Sequence, residues 1–214
     1  MPSLSPLAEP ALEAPPAWGL EAGEGSARLQ AGKLRAPAVL SPAVRPTARR
    51  VVILGIGNTI LSDEGVGVHA ALALLARYVL PEGVEVIDGG TAGMELLDAL
   101  ADADLLLVLD AIKAHRSPGS VVCLRGPEVP VFFRSKLSPH QVSICDVLAS
   151  LEFAGHAPRD LVLIGVEPLS LELGLEMTPT VADSLPEMLR LAIAELAERG
   201  LPLQVLPALP TRVM

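Results

Sequence analysis

The chain has 214 residues, room for one domain with a full core plus a tail and too few for two domains of ordinary size. Its formal net charge of -9, with Lys and Arg only in short groups, excludes a nucleic-acid partner, because neutralising phosphates takes clustered cations. Hydrophobic residues make up 50%, yet no run approaches the roughly 20 apolar residues that span a bilayer, so this content reads as core, with no membrane partner.

Residues 1–48 hold eight of the 20 prolines, mixed with Ala, Glu and Gly. Such a composition offers little periodic apolar surface to offset chain entropy, and the segment is expected to be a disordered extension. Trp18 lies within it, either as an isolated residue or as a short docking element. Arg49-Arg50 before Val51-Val52-Ile53-Leu54 resembles a twin-arginine export signal only superficially: the apolar run is short, lies far from Met1 and leads into a polar motif. Cys123 and Cys145 have no C-x-x-C spacing and fit a reducing compartment, so the expected location is the cytoplasm.

From Val51 onward short β-branched or Leu-rich runs alternate with segments of helical period. Strands are predicted at 51–56, 84–88, 104–109, 120–124 and 161–166, and helices at 64–79, 92–101, 139–152 and roughly 181–199. In the first helix Val68, Leu72, Leu75 and Val79 define the expected buried stripe; in the last, Leu185, Met188, Leu189, Ala192 and Leu196 do so. Ser184 and Glu187 suggest a capping box there, with Pro186 in the first turn. This alternation predicts an α/β fold: a three-layer sandwich with a mostly parallel twisted sheet of about five strands and helices on both faces. Residues 49–200 form the expected domain and 201–214 a C-terminal tail.

In such sheets ligands sit beyond the carboxyl ends of strands where the winding reverses, between the first and third strands of a 2-1-3-4-5 order. Acids stand at both ends. Asp63 and Glu64 follow the first strand, Asp110 ends the third, and Asp88 ends the second before Gly89-Gly90-Thr91. Asp63 also reads as a helix N-cap, Glu64 as a first-turn acid and Asp110 as a loop-starting residue. Gly55-x-Gly57 fails as a dinucleotide fingerprint, since Ile60 stands where the third glycine belongs and Asp63-Glu64 would repel a pyrophosphate.

Ser138-Pro139-His140-Gln141 carries a capping box with proline at N1, which puts His140 at N2. The partial positive charge of a helix start disfavours imidazolium, leaving His140 a lone pair for a metal or a proton; a packed histidine on the face of Ile144, Val147, Leu148 and Leu151 is the other reading. Glu64, Asp110 and His140 together suit a borderline divalent ion with open positions. The two acids could instead activate water between them, as in aspartic proteases. No G-x-S-x-G elbow is present.

Taken in order, these motifs resemble the [NiFe]-hydrogenase maturation proteases, the hydrogenase-specific C-terminal endopeptidases. The matching stretches are G-x-G-N-x-x-x-x-D-E-x-x-G-V as Gly55 to Val68, D-G-G-T-A-G-M-E-L-L as Asp88 to Leu97, D-A-I as Asp110 to Ile112, S-P-H-Q as Ser138 to Gln141, and G-V-x-P followed by T-P-T-V, over about Val51 to Gly200. The resemblance implies one cleavage near the C-terminus of the large-subunit precursor of a [NiFe] hydrogenase after nickel insertion, by a mechanism either aspartic-type or dependent on substrate nickel. It implies metal recognition by Glu64, Asp110 and His140, with nickel supplied by the substrate, not permanently bound. Glu64 and Asp110 are the catalytic candidates and Asp88 is a further one; the enzyme is expected to act as a monomer. Residues 1–48 depart from the family pattern, in which the first strand begins almost at the initiator Met. A non-catalytic metallochaperone for the same precursor is the alternative.

Overall fold

The structure, a computed structural model, describes residues 49–129 and 144–207. The readings of residues 1–48 and of Ser138 to Gln141, His140 included, lie outside the described residues. Five strands form the central sheet: β1 (Val51–Ile56), β3 (Val84–Gly90), β4 (Leu105–Ala111), β5 (Val121–Arg125) and β6 (Leu161–Val166), in the order β3-β1-β4-β6-β5. β1 pairs in parallel with β3 (Val51 opposite Val84) and with β4 (Val51 opposite Leu105), and β4 pairs in parallel with β6.

The expected strand order fails at one edge. Counting sheet strands alone, 2-1-3-4-5 becomes 2-1-3-5-4, because β5 folds back antiparallel on β6 with Val121 opposite Val166. The reason lies in burial. β6 is apolar throughout and buried from Val162 to Val166, so it takes an inner place flanked on both sides, while the half-buried β5 ends in exposed Arg125 and takes the edge. The reversal of winding between β1 and β4 is unaffected.

Strand residues alternate between two cores, as the period of two requires. Val51, Ile53, Leu105, Leu107, Leu109, Val162 and Ile164 meet helices α1 (Val66–Arg77) and α5 (Leu185–Glu198) on one face. Val52, Leu54, Leu106, Val108 and Leu163 meet α2 (Leu97–Leu100) and α3 (Ile144–Ala154) on the other. Three layers result. α5 buries Met188, Leu189, Ala192 and Leu196, as its period predicts, together with Glu195, which receives hydrogen bonds from Arg125 and Arg199.

Two local expectations are corrected. In α1, Leu72 and Leu75 are exposed, as is Val79 beyond its end, and the buried side is Val66, Gly67, Val68, Ala70, Ala71 and Leu74. Small residues win that side because the helix lies almost on the sheet: a Cβ on Gly55 would stand 2.4 Å from the Gly67 carbonyl oxygen and 2.6 Å from the Ala71 Cβ. Ser184 forms no capping box. It is already helical after α4 (Pro179–Ala182), and its hydroxyl donates to the Gly119 and Thr180 carbonyls at 2.7 and 3.0 Å. Within residues 201–207, β7 (Gln204–Val205) pairs antiparallel with β2 (Tyr78–Val79) in a short ribbon. Among the described residues no helix is long and apolar enough to cross a membrane.

Candidate active site

β1 ends at Ile56, and the chain then turns tightly through Asn58, whose side-chain oxygen accepts from the Ile60 N–H at 3.2 Å and whose carbonyl accepts from the Leu61 N–H at 3.0 Å. A single 3-10 turn, Ser62–Gly65, carries Glu64 and runs directly into α1. Two glycines permit this geometry. Gly57 holds φ at 132°, where a Cβ would strike the Glu64 carbonyl at 1.9 Å, and a Cβ on Gly67 would lie 2.1 Å from the Leu109 carbonyl oxygen. The absence of a side chain at Gly67 thus lets α1 and the Glu64 turn before it settle on the end of β4 at Leu109.

Glu64 and Asp110 are both half-buried at the strand ends that flank the reversal of winding. Burial pushes the Glu64 carboxyl above its ordinary range, and Lys113, three residues beyond Asp110, partly opposes that rise by favouring the charged form. One Asp110 oxygen accepts its neighbour's Ala111 N–H at 2.8 Å. Alternation along β4 sets Leu109 and Ala111 towards the α1 face, so Asp110 belongs to the face covered by α2 and α3.

Asp63 proves to be neither cap nor surface acid. It is fully buried, and its carboxylate accepts four hydrogen bonds: from the N–H groups of Leu169 and Ser170 at 2.9 Å each, from Thr178 N–H at 2.7 Å and from the Thr178 hydroxyl at 3.0 Å. That hydroxyl also caps α4 by accepting from the Val181 N–H at 3.4 Å, with Pro179 at the first helical position. Ser62, at a left-handed φ of 50°, donates to the Glu176 carbonyl at 3.0 Å. The segment 169–178 is therefore fastened to the residues immediately before Glu64.

A second buried acid does the same on the other side. Glu167 follows β6, and one of its oxygens accepts the N–H groups of Ala114 and Arg116 at 2.7 and 3.1 Å, fixing the loop that leaves β4. Sequence reasoning assigned no role to Glu167 or Thr178. The available signals were an acid placed directly after a wholly apolar strand and a Thr-Pro pair opening a helix.

Asp88 stands apart. It is exposed at the end of β3, on the far side of β1 from β4, and accepts from the Gly90 N–H at 3.1 Å in a local turn. The structure thus places Glu64 and Asp110 after the two strands that flank the reversal of winding and Asp88 at the end of the outer strand β3, with His140 outside the described residues. Among the described residues no group of three or more His, Cys, Asp and Glu side chains gathers as a metal cage.

Comparison with known proteins agrees with this fold. The sequence profile of the hydrogenase maturation protease family matches residues 68–195. The hydrogenase 2 maturation protease of Escherichia coli (strain K12) is 47% identical over 152 residues, covering 71% of this chain and 93% of that protein. The solved hydrogenase maturating endopeptidase HybD from E. coli superposes with a TM-score of 0.69 at 45% identity, covering 73% of this chain and 97% of that one. The [NiFe] hydrogenase maturation protease HybD from Thermococcus kodakarensis follows at a TM-score of 0.54 and 26% identity, covering 69% and 99%.

Proposed function

The chain belongs to the hydrogenase maturation protease family, and from that premise we propose that this endopeptidase removes a C-terminal peptide from the nickel-loaded large-subunit precursor of a [NiFe] hydrogenase. The observation that carries the reading is the arrival of Glu64 and Asp110 at the β1/β4 strand ends, where an open α/β sheet binds its ligands.

Nickel belongs to the substrate in this scheme, held by the precursor's own ligands. Carboxylate oxygens of Glu64 and Asp110, with the imidazole of His140 as the third donor, complete its coordination and so bring the scissile peptide into the crevice. This donor set suits a borderline divalent ion. Once bound, the metal supplies Lewis acidity to the peptide carbonyl. In the aspartic-type alternative the two carboxylates stay off the metal and one of them takes a proton from the attacking water. Asp88, exposed at the end of β3, is the further catalytic candidate. Metal recognition by these side chains makes cleavage conditional on a filled precursor. The enzyme acts as a monomer in the cytoplasm. Membership of a protease family does not favour the metallochaperone alternative.

The test is intact-mass measurement of the large subunit after incubation with the enzyme, using nickel-loaded and metal-free precursor in parallel. Shortening of the loaded form alone is expected. An unchanged mass for both, or equal cleavage of both, contradicts the proposal.

A further inference from the structure

The segment fastened by Asp63 spends its largest side chains on solvent. Leu169, Leu171, Leu173 and Leu175 are 55%, 38%, 82% and 74% exposed, and neighbouring Ile60 is 50% exposed. Scattered exposed apolar residues are ordinary, but five large ones on two segments bonded to each other beside a candidate site point to an interaction surface.

Backbone hydrogen bonds fix the course of the segment that carries these leucines. Leu169 and Ser170 N–H groups donate to the Asp63 carboxylate and the Ser170 carbonyl accepts from the Asp63 N–H at 3.3 Å, while Gly174 N–H donates to the Ile60 carbonyl at 3.0 Å and its carbonyl accepts from the Ser62 N–H at 2.8 Å. Leu61 and Gly174 form a parallel bridge. Ser170, Gly174 and Glu176 are held by the 60–63 segment through these bonds and the Ser62 hydroxyl, while the side chains of Leu169, Leu171, Leu173 and Leu175 stay exposed.

We propose that Ile60, Leu173 and Leu175, supported by Leu169 and Leu171, form a docking platform for an apolar stretch of the precursor adjoining its scissile peptide. The occupant follows from continuity: the platform is bonded to the three residues preceding Glu64, so whatever presents its cleavage site to that carboxylate passes over these leucines. The identity of the partner rests on the proposed function; the platform itself rests on exposure and hydrogen bonding. Because Asp63 is buried and accepts four hydrogen bonds, the leucines are preorganised, which lowers the ordering cost of docking.

The experiment compares wild type with L173S/L175S and L173M/L175M, all as full chains, using nickel-loaded precursor. The serine pair should raise KM about tenfold or more with kcat within about twofold, since removing two apolar contacts weakens docking without touching the carboxylates, and the methionine pair should restore KM. Unchanged KM in the serine variant overturns the platform. So does a fall in kcat alone, which would mean the leucines act on the geometry of the crevice, or a wild-type dimer that the serine pair dissolves with KM unaltered, which would make a second copy the occupant. If wild type binds precursor without cutting it, the proposed function fails, and titration calorimetry of precursor against the same three proteins still decides the platform: tenfold weaker binding by the serine pair upholds it and equal binding ends it.

Discussion

Replacing Asp63 by Asn should loosen the active-site rim by an amount that follows from its hydrogen bonds. One carboxylate oxygen accepts from Leu169 N–H, Ser170 N–H and the Thr178 hydroxyl, and the other from Thr178 N–H at 2.7 Å. Asparagine keeps one acceptor oxygen. With that oxygen in the more heavily used position, its amide NH2 faces the Thr178 N–H, so a charge-assisted bond is lost and a buried donor is stranded. Bonds to charged groups are worth about 1.5–3 kcal/mol, and the easier burial of a neutral amide offsets part of the loss, which leaves a net cost of about 2–3 kcal/mol. Ser62→Ala, which removes one neutral bond to Glu176, should cost only about 1 kcal/mol. Urea denaturation gives the global figure, and amide hydrogen exchange at Leu169, Ser170 and Thr178 shows where the opening occurs. A D63N protein within about 0.5 kcal/mol of wild type, with those amides equally protected, would refute the idea that Asp63 fastens the rim.

Gly67→Ala should cost about 3 kcal/mol or more, read as a lowered urea midpoint, because its Cβ would meet the Leu109 and Ile56 carbonyl oxygens at 2.1 and 2.4 Å and both are backbone; near-normal stability would contradict so close a seating of α1. Glu167→Ala should speed exchange at the Ala114 and Arg116 amides and destabilise by about 2 kcal/mol, whereas Glu167→Gln, which retains an acceptor oxygen, should lose much less. Glu64→Gln gives a signed pH dependence. The folded carboxyl binds its proton more tightly than the ordinary value of 4.5, so its favourable contribution is full below that value and is lost as pH rises through the raised one. The glutamine variant should therefore gain stability relative to wild type across that interval and hold a constant advantage above it; urea midpoints whose difference moves the other way would place the carboxyl in a stabilising environment.

Much of the scaffold was legible because it depends on local pattern. β1 and β6 fall at 51–56 and 161–166, and the acids at the ends of β1 and β4 follow from where those apolar runs stop. What escaped depends on distance along the chain. Nothing near Asp63 in sequence shows that Leu169, Ser170 and Thr178 will converge on it, so it resembles an ordinary cap. In α1 the large residues suggest the buried side, but approach to the sheet within the reach of a Cβ favours Gly67, Ala70 and Ala71 and turns Leu72 and Leu75 to solvent. Likewise, the antiparallel return of β5 is decided by which strand needs two neighbours, a property of the whole sheet.

The account stands on Glu64 and Asp110 acting as one unit on the precursor, and a double-mutant cycle of processing rates on nickel-loaded precursor reads this directly. E64Q, D110N and the pair should all be nearly as inactive as one another, because either change alone dismantles a shared site. Losses that simply multiply in the double variant, or undiminished processing in either single one, would show that the two carboxylates do not work together.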